Sequence, residues 1–325
     1  MKLPRRRFLC LAGAAAAVPA VPRVAKAQSY PNRPVRWLIG FLPGSAADTV
    51  ARIMGRWLSG RLSQPVIIEN RPGAATNISV QAGINSPPDG YTLIYLSSST
   101  AINATLYESL PFNIQRDVAP VAGFIEFDFV MVVNPSVPAR TVAEFVAYAK
   151  ANPHAIGMAS FGTGTTSHLF GELFKAMTGT DMIHVPYRGS GPAHIDLISG
   201  RVQVMFDTLT ASLPHIRSGA LRALAVAGPH RYQALPELPT VGETVAGYKV
   251  SGWGGVGAPR GTPFEIIERL NHEINAGLTD RTVIRQLADV ATTPLVLTPA
   301  QFGELITAET EKWAKVVKLS GAKPE

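Results

Sequence analysis

Cysteine is nearly missing from this chain: Cys10 is the single one in 325 residues. It falls within an N-terminal stretch built as basic Met1–Arg7, apolar Phe8–Val18 and small-x-small Ala25-Lys26-Ala27, the order of a bacterial export signal. Cleavage is expected before Gln28, leaving a mature periplasmic protein with neither a disulfide nor a thiolate nucleophile. The apolar run is too short for a permanent anchor, which needs ~20 residues. Arg5-Arg6-Arg7-Phe8-Leu9 has a twin-arginine look, so the Tat and Sec routes both stay open. Lipidation of Cys10 is not expected, because Arg7-Phe8-Leu9 lacks the small residue a lipobox needs.

Excess charge is also missing once the signal is set aside. Removing its six basic residues from the chain's 30 leaves 24 against 23 acidic residues, a formal net charge of +1. Without clustered basic residues, nucleic-acid binding is excluded as an expectation. No G-x-x-x-x-G-K-[ST] phosphate loop occurs, and Gly162-Thr163-Gly164-Thr165-Thr166-Ser167 has serine at the third glycine of a dinucleotide fingerprint. Arg188 stands where a nucleophile elbow around Ser190 would need glycine. His272-Glu273 lacks the second histidine of a zinc helix, and the seven histidines are scattered singly. Neither a catalytic residue, a metal nor a cofactor is expected.

What the chain does contain is Ser160-Phe161-Gly162-Thr163-Gly164-Thr165-Thr166-Ser167-His168, with two glycines and five hydroxyls. Leu169, Phe170, Leu173, Phe174 and Met177 follow at helical spacing, so the stretch reads as a loop feeding a helix. Unpaired N–H groups at such an end favour anions, and glycine permits close approach. The same grammar occurs earlier: strand Val35–Ile39, loop Gly40-Phe41-Leu42-Pro43-Gly44-Ser45, then a helix with Val50, Ile53, Met54, Trp57, Leu58 and Leu62 on one side. Further strands are expected over 65–69, 91–96, 185–187, 202–207 and 221–226. Thr141-x-x-Glu144, Thr262-Pro263-x-Glu265 and Thr298-Pro299-x-Gln301 read as capping boxes. Alternating strands and helices indicate an α/β fold. A mature length of 298 residues, from 325 less 27, suggests two lobes. Two glycine loops about 120 residues apart are too distant for one βαβ unit, so they are expected to face each other across a cleft.

Three residues near these loops carry open alternatives. His168 would either donate to a bound carboxylate or anchor the loop to its helix. Asp48 would either cap the first helical turn or bind a ligand ammonium group. Asp207, ending a strand, would reach the cleft or make a structural hydrogen bond. Trp57 and Phe174 are expected in the core, and Lys312, Lys315 and Lys318 on a solvated face.

With these residues in view, the chain resembles the Bug family, also called TctC, receptors of tripartite tricarboxylate transporters. The resemblance is carried by Pro43-Gly44-Ser45-Ala46-Ala47-Asp48, Glu69-Asn70-Arg71-Pro72-Gly73-Ala74, Pro88-Asp89-Gly90-Tyr91-Thr92-Leu93 and Gly162-Thr163-Gly164-Thr165 with His168-Leu169. His184-Val185-Pro186-Tyr187-Arg188-Gly189, Leu221–Val226, Ala258-Pro259-x-Gly261-Thr262-Pro263 and the terminal Ser320-Gly321-Ala322-Lys323-Pro324 continue it in order. Two departures stand out: Ser45 replaces a usual glycine, and Ala75-Thr76-Asn77-Ile78-Ser79 replace a glycine-rich continuation.

The resemblance implies a type II-like periplasmic binding protein, with 28–125 plus 250–325 as one lobe and 126–249 as the other. It implies a carboxylate held by backbone amides and waters, without catalysis. The residues it points to are Leu42, Gly44, Ser45, Ala46, Ser97, Ser99, Thr100, Gly162, Thr163, Gly164, Thr165, Tyr187 and Gly189, and the reading of the loops themselves adds Asp48, Ser160, His168 and Asp207. Dicarboxylates, tricarboxylates, acidic amino acids and aromatic acids are all open as ligands. The implied partners are transporter membrane subunits, served by a monomer. A sensory partner of a signalling receptor and an exported α/β hydrolase are the alternatives.

Overall fold

A computed structural model describes Tyr30–Pro324; the export signal, the Gln28 start and Cys10 lie outside these residues. Two sheets organise the chain. The first has the order β11-β4-β10-β3-β1-β2, with β1 Val35–Ile39, β2 Val66–Asn70, β3 Thr92–Ser97, β4 Val118–Phe127, β10 Gly252–Pro259 and β11 Thr292–Pro294. The second has the order β7-β6-β8-β5-β9, with β5 Phe129–Val133, β6 Gly157–Ser160, β7 Ile183–Pro186, β8 Val204–Thr208 and β9 Arg222–Val226. Pairing is parallel along β2–β1–β3 and β7–β6–β8, and antiparallel where β10 meets β3 and β4 and where β5 meets β8 and β9. Every strand expected from the sequence is present, with ends moved by a residue or two.

Helices cover the sheets: α1 Ala46–Leu62, α2 Asn77–Ile84, α3 Ser98–Leu106, α4 Ile114–Asp117, α5 Val142–Ala151, α6 Thr166–Thr178, α7 Ser190–Ile198, α8 Leu209–Arg217, α9 Phe264–Thr279, α10 Arg281–Asp289 and α11 Pro299–Ser320. This is a two-lobed α/β fold. The chain passes from one sheet to the other at Asp128, between β4 and β5. It returns between Val226 and Gly252, where Val250 N–H donates to Ala227 O at 3.1 Å. The C-terminal helix ties both lobes: Trp313 of α11 stacks on Phe170 of α6, with centroids 5.3 Å apart and planes 14° apart. Burying these rings together favours this arrangement by direct apolar contact.

Local chemistry explains the helix starts, with two corrections. Thr298 and Gln301 form the expected box at α11, Thr298 N–H donating to Gln301 Oε1 at 3.0 Å and Gln301 N–H to Thr298 Oγ1 at 3.2 Å. Thr141 Oγ1 caps Glu144 N–H at 3.1 Å, while the Glu144 carboxylate accepts from Arg140 rather than Thr141. Thr262 does not cap α9. Its hydroxyl donates to Pro259 O at 2.8 Å, closing the preceding turn, and Pro263 takes the N-cap position instead. Phe174 is buried as expected, Trp57 only partly so, its indole donating to Glu273 O at 2.8 Å. Lys315 and Lys318 are exposed, whereas Lys312 reaches Glu309 at 3.0 Å.

The glycine-rich β10 is fully buried because its partners need the space. Phe302 of α11 occupies the place a Gly255 side chain would take, and the Tyr95 hydroxyl occupies that of Gly254. A β-carbon at either position would collide with a ring held in the core.

Candidate functional site

Helices α1, α3, α6 and α7 each begin at the C-terminal end of a strand, where open α/β sheets place ligands. In the first lobe, β1 runs through Gly40–Ser45 into α1. Ser45 Oγ caps the helix by accepting from Asp48 N–H at 3.3 Å. Asp48 is buried and its two oxygens accept from Gly44 N–H, Arg52 Nε, Arg52 Nη2 and Asn70 Nδ2, each at 2.9 Å. Burial alone would raise its pKa, but the bonds from Arg52, Gly44 and Asn70 hold it below the usual carboxylate range. Asp48 is therefore a loop-binding carboxylate whose charge is neutralised within its own lobe. Ala46 and Ala47, first in α1, have N–H groups without an intrahelical acceptor.

The second lobe repeats the design with different parts. Thr165 is the N-cap of α6, and its hydroxyl donates back to Gly162 O at 2.5 Å. Gly164 N–H donates to His168 Nδ1 at 3.2 Å, and Gly162 N–H to Ser160 Oγ at 3.2 Å. Ser160 Oγ in turn meets His184 Nε2 at 2.7 Å, and the His184 ring stacks on His168 at 3.9 Å. Thr163 is the half-buried tip of this loop. Two ring nitrogens thus set the loop directly or through one hydroxyl. Burial, then His184 and Lys175, push the His168 pKa down to about 3, so its ring is neutral. His168 anchors the loop, in keeping with its second reading.

That arrangement carries a pH prediction. His168 stays neutral when folded but binds a proton near pH 6.5 when unfolded. Its contribution is complete above pH 6.5 and is lost as pH falls from there toward 3. Stability should fall by about 1.4 kcal/mol per pH unit in that window from this group. His168→Asn should flatten that limb of the urea midpoint against pH. An unchanged acid limb would refute the assignment.

Four contacts close the lobes on each other. Thr166 N–H, first in α6, donates to Ser99 Oγ of α3 at 3.3 Å. Gly164 lies against Asn103 and Ala75, and Gly189, before α7, lies against Leu42. Phe41 and Phe161, one from each loop, meet edge-to-face at 6.3 Å. Thr100 Oγ1 accepts from Ser97 N–H at 3.2 Å, fixing the start of α3. Tyr187 donates to Asp196 at 2.9 Å, and burial with this bond pushes its pKa up to about 12.

Asp207 stands apart from these loops. It is fully buried in β8; Oδ1 accepts from Ser190 at 3.0 Å, while Oδ2 accepts from Ser212 at 2.7 Å and meets His194 Nε2 at 2.7 Å. Every oxygen is satisfied inside its lobe, which corrects its placement at the cleft in favour of the structural alternative.

Several residues at the closure were not anticipated. Asn103 donates to Ala75 O at 2.7 Å and Asn77 Oδ1 at 3.1 Å. This holds Ala74, Ala75 and Thr76 in consecutive left-handed conformations, with φ of 44°, 47° and 82°. Such residues cost roughly 1–2 kcal/mol each. The only signal in sequence was the departure from a glycine-rich continuation after Ala74. Phe41, Phe161 and His184 gave no signal beyond their position in or beside the loops.

Comparison with known proteins places this geometry. Residues 50–321 match the model of the tripartite tricarboxylate transporter family receptor. BugT of Bordetella pertussis is 37% identical over 322 residues, covering 98% of each chain. The R. palustris protein Rpa4515, solved with adipate, is 34% identical with a TM-score of 0.88, covering 91% of this chain and all of that one (100%). MatC from Rhodopseudomonas palustris, solved with bound malate, is 29% identical with a TM-score of 0.83, covering 89% of this chain and 100% of that one.

Proposed function

This chain belongs to the tripartite tricarboxylate transporter family of receptors, and from that premise we propose that it captures a small organic carboxylate between its lobes for a transporter of that type. The observation carrying this reading is the convergence of helix starts from both lobes, seen in the Thr166–Ser99 bond and the Leu42–Gly189 contact. Fixed N–H dipoles there can hold a carboxylate without an arginine, and waters can bridge the remainder. The relatives solved with adipate and malate support the ligand class. We take the protein to act as a periplasmic monomer after cleavage before Gln28, with lobes of 28–125 plus 250–325 and 126–249. Catalysis is not part of this reading: Ser160, Ser190 and His168 are all committed to internal hydrogen bonds.

Ligand-linked stability tests it. At a ligand concentration ~100 times Kd, binding should add about 2.7 kcal/mol. At roughly 2–4 °C per kcal/mol or slightly less for a chain of this size, the melting temperature should rise about 4–10 °C. A panel of mono-, di- and tricarboxylates and acidic amino acids should contain at least one such acid. Trp253 should report it by fluorescence, since its backbone N–H donates to Ser98 Oγ at the start of α3 at 3.0 Å. A shift from a sugar or a cationic amine, with none from any acid, would sink the reading.

A further inference from the structure

Positive charge is in excess on both rims of the cleft. In the first lobe, Arg52 is bonded to Asp48 and Asn70, while Glu69 lies between Arg36 and Arg71 at 2.7 and 2.6 Å. These three guanidinium groups share two carboxylates, and all three remain partly exposed. Asn70 Nδ2 donates to Phe41 O at 3.0 Å and Arg71 N–H to Ile39 O at 2.8 Å, which sets the cluster against the first glycine loop.

Arg188 stands on the opposite rim. Tyr187 N–H, before it, donates to Ser160 O at 2.9 Å, and Gly189, after it, packs against Leu42 of the first loop. The backbone is thus fixed between the two loops, yet Arg188 is exposed and no hydrogen bond or ion pair engages it among the described residues. The carboxylates of the adjoining elements are committed elsewhere: Asp196 to Tyr187 and Arg201, Glu172 to Lys175, Asp181 to His154, and Asp207 to its buried network. An exposed charge without a counter-ion is a weak clamp, but its field reaches about a Debye length into solvent.

We infer, resting on the carboxylate-receptor reading, that Arg188 steers acids into the cleft: it speeds their entry, more for acids of higher charge, and leaves their release unchanged. The division follows from placement. Neutral amide dipoles hold the carboxylate inside, and the guanidinium acts where the ligand is still solvated. Such a rim charge alters association and its salt dependence rather than dissociation. For a guanidinium ~8 Å from a dianion, the attraction at ~10 mM salt corresponds to about fourfold in rate. A monoanion gains about twofold, and at ~300 mM salt most of either gain is screened away.

Stopped-flow tryptophan fluorescence with adipate, malate, citrate and benzoate tests this, on wild type, Arg188→Gln and Arg188→Glu. For a dianion at ~10 mM salt, association should slow about fourfold in Arg188→Gln and about fifteenfold in Arg188→Glu. Dissociation and the unliganded melting temperature should stay at their wild-type values, and ~300 mM salt should bring the three association rates together. Faster dissociation with unchanged association would make Arg188 a direct ligand contact and overturn the inference. Equal association rates in all three proteins at low salt would also overturn it. Either result leaves the receptor reading intact, whereas binding of no acid at all would end both.

Discussion

Gly164→Val should abolish binding of any carboxylate that shifts the wild-type melt, while leaving both lobes folded at a cost of about 1–2 kcal/mol from the disfavoured φ. Gly164 has φ of 80°, a region that β-branched residues avoid. Its β-carbon would lie 2.6 Å from Asn103 Oδ1, 3.0 Å from Leu106 Cδ2 and 3.3 Å from Ala75 Cβ. All three atoms belong to the first lobe's side of the cleft, and Gly164 to the second's. The new side chain therefore acts as a wedge between lobes and leaves both sheet cores as they were. A ligand that needs contacts from both sides should lose about 100-fold or more in affinity, the equivalent of ~2.7 kcal/mol. Calorimetry should show no measurable heat, and small-angle scattering should show a larger radius of gyration for the variant. Wild-type affinity in the variant would place the anion elsewhere.

The sequence shows the parts of this closure but not which of them meet. Apolar runs such as Trp37-Leu38-Ile39 and Leu93-Ile94-Tyr95 are visible because burial on both faces demands them. The two glycine loops are visible because glycine before a helical repeat has few other uses. Their partners are not, since Asn103 and Gly164 are brought together only when two sheets have formed and docked. The β10 glycines show the same limit: Gly255 is legible as a missing side chain, but Phe302, 47 positions on, is what fills the space. Ala74–Thr76 defeats composition rules altogether, because its left-handed turn is imposed by Asn103 against the preference of alanine and threonine. Acidic residues near the loops were ambiguous for a related reason. A carboxylate's partners decide whether it binds ligand or holds the fold, and those partners arrive from other elements.

Asp207→Ala separates these two roles and should have the largest effect on stability. The carboxylate is wholly buried, and its oxygens serve Ser190, Ser212 and His194, itself only 5% exposed. Truncation leaves an imidazole and two hydroxyls without their acceptor in an apolar surround that includes Val130, Ala193 and Leu213. Removing one partner of such a buried charged network costs about 3–5 kcal/mol. The urea midpoint should fall accordingly, with the slope of the transition unchanged. Ser190 is the first residue of α7, directly after Gly189, so the carboxylate also fixes the helix start that faces Leu42. Asp207→Asn keeps one acceptor oxygen and should lie between alanine and wild type in stability. At low temperature, where the folded fraction dominates, its affinity should stay within a few-fold of wild type. A variant with wild-type stability and no affinity would return Asp207 to the ligand, and the network around His194 would then need another purpose.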